Sequence, residues 1–193
     1  MKKVTLFIAA TLLIMSCSTP VGITSWKNPN STAKISKIVV MSVFDKLTYI
    51  QPMEKILTDY FNQQQLPAIK ALDFLDPFKQ YDNAVLKQKL DSIGADAILI
   101  LSSQGKDVSL NYTGGYYGGY RGAWAGAGGW STSTTYNLRS SLYNINNDQK
   151  IWAGDLTVTD PNNLSSGMQQ VAQAIYADWV KNQVLKNPPP PAK

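Results

Sequence analysis

Residues 37–43 (KIVVMSV) form a short apolar, β-branched run, the pattern of a buried strand. The period then changes. Across residues 51–64, Met53, Ile56, Leu57, Tyr60 and Phe61 recur on one helical face, and Pro52 fits a first turn, where its missing N–H has little consequence. Residues 67–72 (PAIKAL) give a weaker second strand. A loop, DFLDPFKQY, leads to a second helix over 83–93, with Asp82 as N-cap and Gly94 as the left-handed residue that ends it. Residues 95–101 (ADAILIL) are almost wholly apolar, as a strand covered on both faces must be. This half therefore reads β-α-β-α-β. Right-handed crossovers make its three strands parallel in the order 2-1-3.

The second half alternates instead. Residues 104–112 continue as extended chain, with Gly105 a bulge. Across 132–145, Tyr136, Leu138 and Leu142 share one face, while Arg139 and Tyr143 share the other. Asn146, Asn147 and Asp148 supply a turn, and residues 149–159 return with Trp152, Leu156 and Val158 on one face. An antiparallel hairpin thus extends the parallel sheet. Ser166 with Gln169 forms a capping box for a last helix to residue 184, whose stripe is Met168, Val171, Ala172, Ile175 and Trp179. The fold class is α/β: one mixed sheet with helices packed on it, spanning residues 35–185. A short Pro-rich tail occupies 186–193.

The first sixteen residues do not belong to this domain. Lys2 and Lys3 precede an apolar run over 4–15 that is too short for a stable spanning helix and has the form of a secretory signal. Ile14-Met15-Ser16-Cys17 resembles the lipobox of bacterial lipoproteins. That resemblance implies cleavage before Cys17, a diacylglycerol on its thiol and acylation of the new amine. Cys17 is the one cysteine of the chain, so no intramolecular disulfide is possible. Several acyl chains on one residue anchor firmly without a spanning helix. Residues 17–34, rich in Ser, Thr, Asn and Pro, read as a lipidated tether. Within it, Trp26 is expected to dock on the domain edge. Loss of Lys2 and Lys3 takes the net charge from +5 to +3, with no basic stripe, which argues against nucleic acid as a partner.

Three short motifs carry a further resemblance: Ser25-Trp26-Lys27-Asn28-Pro29, Gly94-Ala95-Asp96-Ala97, and the pair Leu142-Tyr143 with Ile151-Trp152-Ala153-Gly154. Together they resemble a group of small bacterial envelope lipoproteins, over nearly all of the mature chain. The βαβαβ layout is also similar to the N-terminal domain of TolB and to lipoprotein activators of penicillin-binding proteins. The group implies a place in the envelope, on the periplasmic face of the outer membrane since Ser18 is not the aspartate of inner-membrane retention. It implies no activity. Asp96, at a helix-to-strand turn, is expected to bond local backbone.

Catalytic chemistry finds little support. The chain has no histidine, which removes the commonest general base and metal ligand. Glu54 is the one glutamate, and the twelve aspartates read as turn and cap residues. Residues 144–148 lack the closing glutamate of a calcium loop, and no phosphate loop is present. The expectation is a non-catalytic protein without cofactor or metal. One segment stands apart: 113–131 mixes glycines with Tyr116, Tyr117, Tyr120, Arg121, Trp124 and Trp130. It reads as an exposed excursion between two strands. It is a contact loop for an envelope protein partner, a platform for a glycan or small ligand through stacking and Arg121, or only a connection.

Overall fold

The computed structural model describes residues 21–113 and 129–185. Six strands form one mixed sheet: β1 (Val21–Lys27), β2 (Ile38–Val43), β3 (Ala68–Lys70), β4 (Ala97–Thr113), β5 (Gly129–Asn144) and β6 (Lys150–Thr159). Among the described residues, three α-helices accompany it: α1 (Leu47–Gln63), α2 (Asn83–Ser92) and α3 (Leu164–Lys181). The strand order is β1-β6-β5-β4-β2-β3. β3, β2 and β4 are parallel, with β2 in the middle, which is the expected 2-1-3 arrangement. β4, β5, β6 and β1 continue antiparallel.

Alternation along each strand sorts the sheet into two unequal cores. On one face, Val40, Leu99, Leu142 and Trp152 fall in one cross-strand row and are fully buried under α1 and α3. Phe61 of α1 stacks on Trp179 of α3 with ring centroids 5.3 Å apart, and Trp179 meets Trp152 edge-on at 5.7 Å. On the other face, Val39 and Ile98 lie under α2 and the turn before it, with Leu75, Leu90 and Ile145. Among the described residues, only the β2–β4 part of that face carries such a cover.

Several boundaries differ from expectation. The stretch read as a tether contains β1, which pairs with β6 from Val21↔Val158 to Lys27↔Trp152. Its signal is weak because only Val21 and Ile23 are apolar on the inward side; Ser25 and Lys27 occupy the other inward positions and bond α3 and the chain after it. Helix α1 begins at Leu47, one turn before the expected start, so Pro52 lies inside it. Burial of Ile50 outweighs the one backbone bond that Pro52 forgoes. Helix α3 starts at Leu164. Its N-cap is Asn163, whose side chain accepts from the Ser166 N–H at 2.9 Å while Ser166 Oγ receives the Asn163 N–H at 3.3 Å. Ser166 is therefore the third helical residue of the box and not its cap. Asp82 does hold the N-cap position of α2, without a side-chain capping bond. The two extended stretches read at 95–101 and 104–112 are one strand, β4 (Ala97–Thr113), interrupted at Gly105, whose φ of 115° and register shift mark the bulge. The ribbon ladder runs to Thr113↔Gly129, so Thr113, Gly129, Trp130 and Ser131 belong to strands and not to the loop.

Candidate interaction surfaces

The motif residues meet around Asp178 of α3. Its carboxylate accepts from Ser25 Oγ at 2.9 Å and from Trp152 Nε1 at 2.7 Å, and Asn182 donates to Ser25 Oγ at 3.3 Å. Ser25 lies opposite Gly154 across the β1–β6 ladder. A Cβ on Gly154 would come within 2.6 Å of the Trp152 ring, so the glycine makes room for the indole. The Ser-Trp and Trp-x-Gly motifs thus clamp β1 and α3 to β6. Asp96, just before β4, bonds backbone that is distant in sequence and not local as expected: it receives the N–H groups of Ser36 and Lys37 at 2.8 and 3.2 Å, which ties the start of β2 to that of β4. These residues are structural.

Glu54 has a comparable role. Its side chain is 1% exposed, on α1, and its two oxygens accept the N–H of Ser42 at 2.9 Å and of Leu72 at 3.0 Å. Burial pushes its carboxyl above the ordinary range, and the two backbone donors only partly oppose this. The carboxylate joins α1 to the ends of β2 and β3. Below it opens a cavity of about 400 Å³ at the carboxyl ends of these strands, with Lys79 and Tyr81 on its wall. Glu54 is itself part of that wall, with one lone pair of each oxygen engaged by a backbone N–H. Its heptad partners Leu57 and Phe61 are buried too, so position 54 lies on the core stripe, a signal the sequence does contain.

A second cavity, about 430 Å³, opens where α1 and α3 begin and the β4–β5 ribbon leaves the sheet. Its lining is mainly apolar, with Phe44, Tyr49, Met53, Leu138 and Met168, while Lys106 adds a cation. Val158, opposite Val21, belongs to the same wall. Beyond Thr135↔Thr159, β4 and β5 pair only with each other.

The two edges of the sheet differ. β3 has three residues and turns at once into a 3-10 helix. β1 has seven, without proline or bulge, and its outer side pairs with no strand among the described residues. Beside it, the β5–β6–β1 part of the sheet carries a polar surface that no helix among the described residues covers. Arg139 and Asp155 form a two-pronged pair there at 2.7 and 3.2 Å, which holds the Asp155 carboxyl below its usual range. Trp26, 51% exposed, rises from the edge of this surface. Trp26 is expected to dock on the domain edge; its backbone does so by pairing in β1, a strand not expected there, while its ring stays exposed.

Of the residues singled out in the sequence, Cys17, Tyr116, Tyr117, Tyr120, Arg121 and Trp124 lie outside the described residues. Trp130 is placed by backbone register opposite Tyr112. Among the described residues, no helix is long and apolar enough to cross a membrane.

No family model matches the chain, and no curated protein matches it. Solved structures with a similar layout include the PelC dodecamer from Paraburkholderia phytofirmans, at 14% identity and TM-score 0.48 over 81% of this chain and 95% of that one. The lipoprotein GNA1162 from Neisseria meningitidis is 15% identical, with TM-score 0.44 over 76% of this chain and 99% of that one. The LpoB C-terminal domain from Salmonella enterica is 12% identical, with TM-score 0.41 over 66% and 86%. Bacterial lipoproteins are therefore among its structural neighbours, at low sequence identity.

Proposed function

We propose that this chain is a non-catalytic envelope lipoprotein, anchored through lipid on Cys17 at the periplasmic face of the outer membrane, that acts by contacting another envelope protein. The lipobox ending in the one cysteine supports the anchor. The unpaired edge of β1 carries the contact. A seven-residue strand whose outer side pairs with no other strand among the described residues is a template for an added strand, and proteins usually blunt such edges. Here one edge is blunted to three residues while the other stays long.

The test is site-specific photocrosslinking in intact cells. A crosslinker at Trp26, on the β1 edge, should give one discrete protein adduct, and the same group at Lys55, an exposed position on α1, should not. Adducts of equal strength from both positions, or none from Trp26, would remove β1 as the contact. The anchor is read separately, as an N-terminal lipopeptide beginning at Cys17 in the membrane fraction.

A further inference from the structure

The start of β1 and the β4–β5 ribbon lie at the same end of the sheet. Val21 pairs with Val158, Val158 with Tyr136, and Tyr136 with Lys106, so Val21 and Lys106 stand at one level across four strands. From that level the ribbon continues outward to Thr113, which at strand spacing is about 23 Å. Only Ser18, Thr19 and Pro20 separate Cys17 from Val21. Fully extended, the step from Cys17 to Val21 reaches at most about 14 Å. The ribbon is therefore longer than the anchor arm beside it.

From this geometry we infer that the ribbon end of the domain rests on the lipid bilayer. The inference relies on lipidation of Cys17. A domain held by so short an arm cannot hang clear of the membrane unless the arm leaves in the opposite direction, and the ribbon then meets the surface first. The side chains at this end suit such a surface. Val43, Leu47, Tyr49, Phe78, Val108 and Tyr136 are large hydrophobic residues that remain exposed, and all stand at or beyond the carboxyl ends of β2, β3 and β6. By register, Tyr112 and Trp130 occupy the far part of the ribbon, and Tyr and Trp are the residue types that collect at membrane–water interfaces. Charges there are mixed: Lys46, Lys79 and Lys106 stand among Asp45, Asp76, Asp107 and Asp160. Contact is thus apolar and interfacial in character, and does not depend on anionic headgroups. A protein partner is the competing occupant of the same apolar end, but it gives no account of the short arm beside the long ribbon.

The experiment uses the full lipidated protein in phosphatidylcholine vesicles. Acylation occupies the Cys17 thiol, so an introduced cysteine is the one free site for a nitroxide. Labels are placed at Val108→Cys, Tyr49→Cys and, at the far end of α3, Val180→Cys. All three positions are exposed, and unchanged melting temperatures verify folding. At Val108 and Tyr49 the label should collide preferentially with oxygen over a water-soluble relaxant, and at Val180 the preference should reverse. Adding anionic lipid should leave the pattern unchanged. If the protein floats with the vesicles while all three labels report water, the docking inference is overturned and the anchor stands. If Val108 and Tyr49 are shielded from both relaxants, a protein contact covers that end, and the inference is again overturned. If Cys17 is free and the protein does not float, the anchor reading fails and the inference with it.

Discussion

Trp152 shows how much one position can carry. It is fully buried, meets Trp179 edge-on, and satisfies its indole N–H on Asp178. Trp152→Ala should lower stability by about 3–5 kcal/mol in urea unfolding, as large core truncations do. Gly154→Ala is a sharper test, because the added methyl would press on the same ring. It should cost about 1–3 kcal/mol. A neutral effect would mean that the ring moves freely. Glu54 gives a pH signature. Its folded pKa lies above the ordinary 4.5, so between these values the folded chain holds more protons than the unfolded one. Its contribution to stability therefore falls as pH rises from about 4.5 through the folded pKa, and is level above that. Glu54→Gln should remove this slope while adding a pH-independent loss, since an amide can accept only one of the two backbone N–H groups as a carboxylate does. Denaturant curves between pH 4.5 and 7 separate slope from offset.

At the scale of elements, α1, α2 and α3 end in the same way. After α1, the N–H of Gln65 bonds the Asn62 carbonyl and that of Leu66 bonds Phe61. After α2 the pairs are Gly94 to Asp91 and Ala95 to Leu90, and after α3 they are Gln183 to Val180 and Val184 to Trp179. This is the Schellman arrangement, with its left-handed residue at φ 59°, 65° and 55° in turn. Only α2 has glycine there. Gln65→Gly and Gln183→Gly should each raise stability by roughly 0.5–1 kcal/mol, because glycine enters that region without a Cβ clash. Calorimetry on the two variants measures it. The contrast explains what was legible in the sequence. Gly94 announced its helix end, whereas a glutamine in the same conformation gives no sign. The β-α-β-α-β half was legible because β2 and the start of β4 are apolar on both faces, α1 has a clear stripe, and α2 is bracketed by Asp82 and Gly94. β1 was not, because two of its four inward residues are Ser25 and Lys27, which serve hydrogen bonds instead of apolar packing. The start of α1 was hidden by Pro52, which disfavours helix before it unless burial, here of Ile50, overrides. Of the interaction surfaces, the aromatic segment stood out by composition. The β1 edge and the level shared by Val21 and Lys106 exist only once strand order and register are known.

For the whole molecule, the two faces of the sheet should differ in strength. The face under α1 and α3 holds the indoles, Phe61 and a continuous row from Val40 to Trp152. The face under α2 holds a smaller set, closed by the ten-residue α2 and the chain that leads into it. Buried apolar area sets most of the resistance to opening, so the cover on the smaller face should open before the sheet does. Leu57 and Leu90 are both buried leucines, one on each side. Leu57→Ala should lower global stability by about 2–5 kcal/mol and reduce protection of β4, β5 and β6 together. Leu90→Ala should chiefly loosen α2: its amides should exchange faster while those of β4–β6 keep most of their protection. Native-state hydrogen exchange read by mass spectrometry resolves these segments. Equal loss of protection across both faces in Leu90→Ala would show that the domain opens as a single unit, and that the smaller core is tied to the larger through the sheet rather than resting on it.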